Sequence, residues 1–175
     1  MMKQLMVIAI LGIACAKNPA EVKQHRVLPA PQDLEERCEE VDVSPSVRQV
    51  SDSVWMARGY DLANTFLIQT SEGNVIIDTA SCPSRAKPQK EALLKASPGP
   101  IRAIIYTHSH LDHIGGASAF AEEGTEIWAT EAFFPHLMKQ YGVFRETESR
   151  RAARQWGFHV GHEEMACSSI GKRLD

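Results

Sequence analysis

At 175 residues the chain has room for one domain rather than several. Its hydrophobic fraction of 43% and charged fraction of 23% are those of an ordinary globular protein and argue against a disordered or fibrous chain. A formal net charge of −3 gives no electrostatic case for nucleic-acid binding, and no stretch approaches the roughly 18 consecutive apolar residues that would span a bilayer.

The amino terminus reads as a leader. Lys3 precedes a short apolar core, Leu5 to Ile13, and Ala14-Cys15-Ala16 supplies a small-residue cleavage site. This predicts a signal peptide over residues 1–16 that packs poorly against the domain, and a mature chain exported to a periplasm or secreted. Two alternatives stand beside it: a lipid anchor on Cys15, with Gly12-Ile13-Ala14-Cys15 as the processing sequence, and a buried helix or strand. Export would leave Cys38, Cys82 and Cys167. That odd number cannot all pair internally, so free or singly paired cysteines are expected.

Residues 17–47 carry Pro19, Pro29, Pro31 and Pro45 and read as an extended arm or linker, with a short helix at 32–40. From Val47 the pattern changes, and residues 48–175 form the domain. The segment SVWMARG is a strand, followed by a turn at Gly59-Tyr60-Asp61 and a second strand, ANTFLIQT. Ser71-Glu72-Gly73-Asn74 signals a hairpin into a third strand, VIIDT. A helix is predicted over Arg85–Ala96, stopped by Ser97-Pro98-Gly99-Pro100. IRAIIY, residues 101–106, has the length and β-branched content of a buried strand. GGASAFAEE reads as a short helix, Glu126–Ala129 as a strand, Thr130 and Glu131 as the start of another helix, and Thr147–Gln155 as a last one.

Straight after IRAIIY comes Thr107-His108-Ser109-His110-Leu111-Asp112-His113-Ile114-Gly115-Gly116. Three imidazoles and a carboxylate at a strand end are metal-ligand chemistry, because imidazole suits zinc and its neighbours and a carboxylate can complete such a site. His108 and His110, two apart on a loop, can converge on one ion, and Asp112 and His113 can turn to a second. Two metals that bridge one water lower its pKa towards neutrality. The glycine pair permits a tight turn and a close backbone approach.

THSHLDHIGG resembles the HxHxDH signature of the metallo-β-lactamase fold. RGYDLANTFLIQTSEGNVIIDT looks like the opening strands of the alkyl sulfatase branch of that superfamily, and ESRRAARQWG is similar to the segment that follows the metal motif there. Together these strings lie within residues 48–157. The resemblance implies an α/β fold, the first half of an αββα sandwich, truncated before the family's later metal ligands, dimerisation region and carboxyl-terminal domain. It implies zinc-dependent hydrolysis of alkyl sulfate esters, a small-molecule anionic substrate and two Zn2+ per complete site. His108 and His110 would hold one ion, and Asp112 and His113 the other. It also places Asp78 near the ligands, hydrogen-bonded to a ligand histidine, where the bare sequence allows a capping Asp. No catalytic group is identifiable beyond the metal-bound water. The motif alone equally suits a β-lactamase, lactonase or thioesterase, and an inactive truncated remnant is a further reading. On the truncated view this chain hydrolyses dodecyl sulfate far more slowly than a full-length relative.

Other polar clusters have plainer readings. His136 is expected on a helix surface, and His159 and His162 as non-ligands. Glu146 is four residues before Arg150 and Glu148 three before Arg151, so the run Arg150, Arg151 and Arg154 reads as a salt-linked, solvated helix face rather than an anion site. Trp128, Trp156 and Phe158 read as core or interface. Amino-terminal sequencing of exported protein should begin at Lys17, or at a modified Cys15. An intact Met1 on the exported mature protein would refute the leader.

Overall fold

The computed structural model describes residues 2–5 and 44–155. These build a seven-stranded sheet: β1 (Met2–Leu5), β2 (Ser46–Ser51), β3 (Val54–Arg58), β4 (Thr65–Thr70), β5 (Gly73–Ile77), β6 (Ile101–Ile105) and β7 (Glu126–Thr130), in the order β1-β7-β6-β5-β4-β3-β2. The helices are α1 (Pro83–Ala96), α2 (Leu111–Ile114), α3 (Ala117–Phe120), α4 (Phe133–Leu137), a π-helical segment (Met138–Val143) and α5 (Arg145–Gln155). No helix among the described residues is long and apolar enough to cross a membrane.

Strands β2 to β5 form an antiparallel meander. The chain then crosses through α1 to a parallel β6, and through α2 and α3 to a parallel β7. Parallel neighbours need such crossovers, because a tight turn cannot reverse the chain twice. Leu67, Ile76 and Ile104 are fully buried and form one core cluster with Ala86 and Leu93 of α1 and Phe120 of α3. Ala86, Gln89 and Leu93 recur at helical spacing, so α1 lays one stripe on the sheet. Gln89 is buried and polar; its Oε1 accepts from Thr65 Oγ1 at 2.8 Å, while its Nε2 has no partner among the described residues.

Several boundaries differ from the sequence reading. Helix α1 begins at Pro83, two residues before the expected Arg85, because Pro at the first helical position loses no needed N–H. Strand β2 begins at Ser46, inside the predicted arm, and its last four residues are exposed and lack apolar alternation. Helix α4 starts at Phe133 rather than Thr130, and α2 and the π-helical segment were not foreseen. Met2–Leu5, within the predicted leader, pairs antiparallel with β7 at the sheet edge, so the expectation that residues 1–16 stay off the domain fails there. The predicted helix at 32–40, His159, His162, Trp156 and Phe158 lie outside the described residues. Cys82 is 2% exposed and disulfide-bonded, with its partner also outside them.

The turn after His113 packs backbone to backbone against the loop after β5. A Cβ on Gly116 would stand 1.8 Å from the Thr79 carbonyl oxygen and 2.5 Å from Ala86 Cβ, and one on Gly115 would stand 1.9 Å from the Ser81 carbonyl oxygen. Neither backbone can yield cheaply. Gly116→Ala is therefore expected to cost about 3 kcal/mol by thermal or urea unfolding. Gly142→Ala, whose Cβ would meet only Met138 Cε at an ordinary 3.5 Å, should change stability little. Equal effects of the two substitutions would show that the close approach is not what holds the turn.

Candidate metal centre

Strand β6 ends at Ile105, and the backbone N–H of Tyr106 still donates to the Trp128 carbonyl of β7 at 2.9 Å. The motif loop therefore leaves the middle of the sheet at a fixed point, where open α/β sheets place their sites. The single turn of α2 follows. It is closed by His113 N–H to His110 O at 3.1 Å and Gly115 N–H to Leu111 O at 2.8 Å, and Leu111 N–H donates to the Tyr141 hydroxyl at 3.1 Å.

These constraints bring the four motif side chains together. The ring centroids of His108 and His113 lie 4.0 Å apart, and those of His108 and His110 4.6 Å apart. His113 Nε2 stands 3.4 Å from Asp112 Oδ2. Two ligands on a tetrahedral zinc with bonds of about 2.0–2.1 Å are separated by about 3.3–3.4 Å, so this pair has the spacing of ligands to one ion. The histidine rings, however, meet edge-on and tilted. Among the described residues no three His, Cys, Asp or Glu side chains are disposed around one point. The donor types fit a zinc-type ion and one pair has its spacing, but a three-ligand centre is not formed.

Asp78 organises the cluster. It follows β5 in the left-handed region, at φ 60°, and its N–H donates to the Ile105 carbonyl at 3.0 Å. Its Oδ1 accepts the Thr107 N–H at 2.9 Å. Its Oδ2 accepts the Thr107 hydroxyl at 2.7 Å and lies 2.7 Å from His113 Nδ1. Because the Thr107 proton goes to Asp78, the contact of Thr107 Oγ1 with His108 Nδ1 at 2.9 Å requires that nitrogen to donate. Both Nδ1 atoms then carry protons, and His108 and His113 each keep Nε2 for a ligand. Fixing the tautomer through a hydrogen bond at the other nitrogen is the general device of histidine metal sites.

Sequence reasoning missed Asp61, in the Gly59-Tyr60-Asp61 turn. It is 3% exposed, and its carboxylate accepts Leu62 N–H at 2.7 Å and Ser81 N–H at 2.6 Å, tying down the loop that carries Asp78. The GYDLAN string was the available signal. Thr107 was also missed as a bridge. Tyr106 is buried, and burial with Asp78 nearby pushes its phenol up to about 12, so it stays neutral.

Charge is divided unevenly. Burial holds His108 below its ordinary value, helped by His113 and His110. For His113 burial again opposes the charged ring, but its hydrogen bonds to Asp112 and Asp78 outweigh it and push the pKa up to about 9. Asp112 is raised by burial, but the His113 hydrogen bond and charge leave it lowered overall.

Above the motif is a cleft of about 460 Å³. Its floor includes Thr107, His108 and His110, and its walls carry Phe133, His136, Lys139, Gln140, Phe144, Glu148 and Arg151. His136 is exposed, as expected for a surface histidine. Arg150 pairs with Glu146 and Arg151 with Glu148, as the charge spacing predicted, although Arg151 also borders the cleft. Trp128 is half-buried and donates to Glu126 Oε2 at 3.0 Å. The side chain of Arg154 is not among those described.

A β-sheet with crossover helices and an Asp-braced HxHxDH loop at the strand ends defines the class. The chain belongs to the metallo-β-lactamase superfamily, whose family model matches residues 58–155. A linear primary-alkylsulfatase of Pseudomonas sp is 31% identical over 116 residues, covering 62% of this chain and 17% of the relative. A metallo-beta-lactamase type 2 of Bacillus sp. (strain 170) is 30% identical over 104 residues, 55% of this chain and 40% of the relative. Among solved structures, the stereoselective inverting sec-alkylsulfatase Pisa1 from Pseudomonas sp. aligns at TM-score 0.58 and 27% identity, over 65% of this chain and 19% of that one. The chain thus spans less than a fifth of the length of these alkylsulfatases.

A ligand imidazole must be neutral, so an ion at His113 Nε2 has to displace the proton that Asp78 and Asp112 stabilise. Zinc affinity, measured by competition with a chromophoric chelator, is expected to rise about tenfold per pH unit between pH 7 and about 9 and then level off. In Asp78→Asn the plateau should begin at lower pH. The same raised pKa stabilises the metal-free fold fully below pH 6.5, and that contribution is lost as pH rises through about 9. A flat affinity profile from pH 7 to 9 would overturn this account of His113.

Proposed function

We propose that this chain carries the metal-binding part of an exported, zinc-dependent hydrolase that acts on alkyl sulfate esters. The carrying observation is the braced cluster itself: His108, His110, Asp112 and His113 gathered at the end of β6, with His113 held by Asp78 at 2.7 Å. The alkylsulfatase relatives give the substrate class, and members of the superfamily are typically metal-dependent, usually on zinc. Export rests on the apolar core and small-residue site at residues 5–16.

His108 and His110 would hold one ion, Asp112 and His113 the other. Bound zinc would supply a Lewis acid facing the ester and a water of lowered pKa. Asp78 and Thr107 would fix the two ring tautomers and keep both Nε2 atoms turned from the carboxylate that braces them. Asp61 would hold the loop beneath them. Phe133 and Phe144 offer apolar surface to an alkyl chain in the cleft.

The metallo-beta-lactamase relative supports a second reading, another hydrolase of the same fold, of the β-lactamase, lactonase or thioesterase type. Sulfate release from an alkyl sulfate at saturating zinc separates the two. Two protein ligands per ion fall short of the usual three at a catalytic zinc, and a displacement of about 1 Å can cost roughly 100-fold in rate. Turnover is therefore expected well below that of a full-length alkylsulfatase and abolished in the His108→Ala, His110→Ala double variant. Sulfate release that survives the double substitution would sink the site. Turnover of neutral esters with none of sulfates would favour the second reading, and no turnover of either would leave a metal-binding remnant.

A further inference from the structure

The cleft has a floor of imidazoles and a wall whose charges are not balanced. Arg151 and Glu148 neutralise one another through Arg151 Nε at 3.1 Å and Nη2 at 2.5 Å. Lys139 lies in the same wall, exposed, and has no carboxylate partner among the described residues. It is carried by the π-helical segment, a rare backbone form that recurs at functional positions. Tyr141 of that segment accepts the Leu111 N–H at 3.1 Å, so the segment carrying Lys139 is tied to the start of the motif helix. Phe133, 5% exposed and stacked on Tyr106 at 5.4 Å, and Phe144 give the same cleft an apolar side.

We propose that Lys139 is the specificity-determining cation of this cleft, receiving a non-reacting oxygen of an anionic ester whose apolar part lies along Phe133 and Phe144. The assignment rests on the hydrolase reading and sharpens it to one residue. A charged ammonium placed beside a partly enclosed anion forms a charge-assisted hydrogen bond, about twice as strong as a neutral one. It does the same for a neutral ester only weakly, so Lys139 selects by charge rather than by chain length.

The test is binding of octyl sulfate, kept below its micellar concentration, and of octanol, to the zinc-loaded chain by calorimetry. Lys139→Ala should weaken octyl sulfate binding about tenfold and leave octanol unchanged. Lys139→Arg should restore most of the loss, and Lys95→Ala, on the exposed end of α1 away from the cleft, should do nothing. Circular dichroism melts establish that each variant is folded. Equal loss for sulfate and alcohol, no loss for sulfate, or no sulfate binding by the wild type would each overturn the proposal. Lys139-dependent sulfate binding without turnover would keep Lys139 and defeat the hydrolase reading. Turnover of an ester that ignores Lys139→Ala would do the reverse.

Discussion

The site depends on one close approach between two backbones. The loop from Asp78 to Cys82 lies against the turn at Gly115 and Gly116 with no room for a β-carbon on either glycine. To reach that position Asp78 and Ala80 take φ of 60° and 69°, a conformation that costs an L-residue about 1–2 kcal/mol. Four hydrogen bonds offset it: Thr79 N–H and Thr79 Oγ1 to His113 O, Gly116 N–H to Ala80 O, and Ser81 N–H to Asp61. At about 1 kcal/mol each these match the strain and little more. The loop is therefore not stable in this form by itself. It holds only when the motif turn is docked, which makes ligand placement and loop conformation a single event.

Electrostatics use the same contact. Desolvation alone would lower both His108 and His113, yet the two move apart because only His113 touches carboxylates on both sides. Asp78 and Asp112 present negative charge to the His113 ring, which favours its protonated form and would equally favour a cation at Nε2. Affinity for an ion at His113 would therefore draw on the same two carboxylates as the stability of the fold and would change oppositely with pH between 6.5 and about 9.

What the sequence made legible were features whose cause is local. IRAIIY is a strand because it is β-branched and apolar, and the density of His in THSHLDH admits few readings other than metal chemistry. The glycines after His113 signalled a close approach, which the Thr79 and Ser81 carbonyls now specify. Illegible features have distant causes. Strand β2 exists because β3 offers an edge, and its exposed side chains carry no pattern. The π-helical segment follows no apolar period, and one of its ties is the Tyr141 hydroxyl accepting from Leu111 N–H, thirty residues away in sequence. Asp61 gains its role only when Ser81, twenty residues on, is folded against it. The four motif residues were readable as ligands by type, but their spacing in sequence did not reveal that the rings would pack against one another instead of around one point.

The floor and the opposite side of the cleft are built to different standards. Its floor is set by strand ends, a buried Asp61 and a braced Asp78, all fixed by several bonds. Its roof, from Phe133 to α5, leaves Phe134, Met138, Val143 and Phe144 between 44% and 78% exposed, and Tyr141 gives it a hydrogen bond to the motif. That division suits the chemistry. Ligand and reacting groups must be held to within about 0.5 Å, whereas selection of a substrate by charge and apolar contact tolerates looser placement. Exposed apolar side chains and a lysine on a segment tied to the motif through Tyr141 meet that looser requirement, while the bonds on Asp61 and Asp78 meet the stricter one.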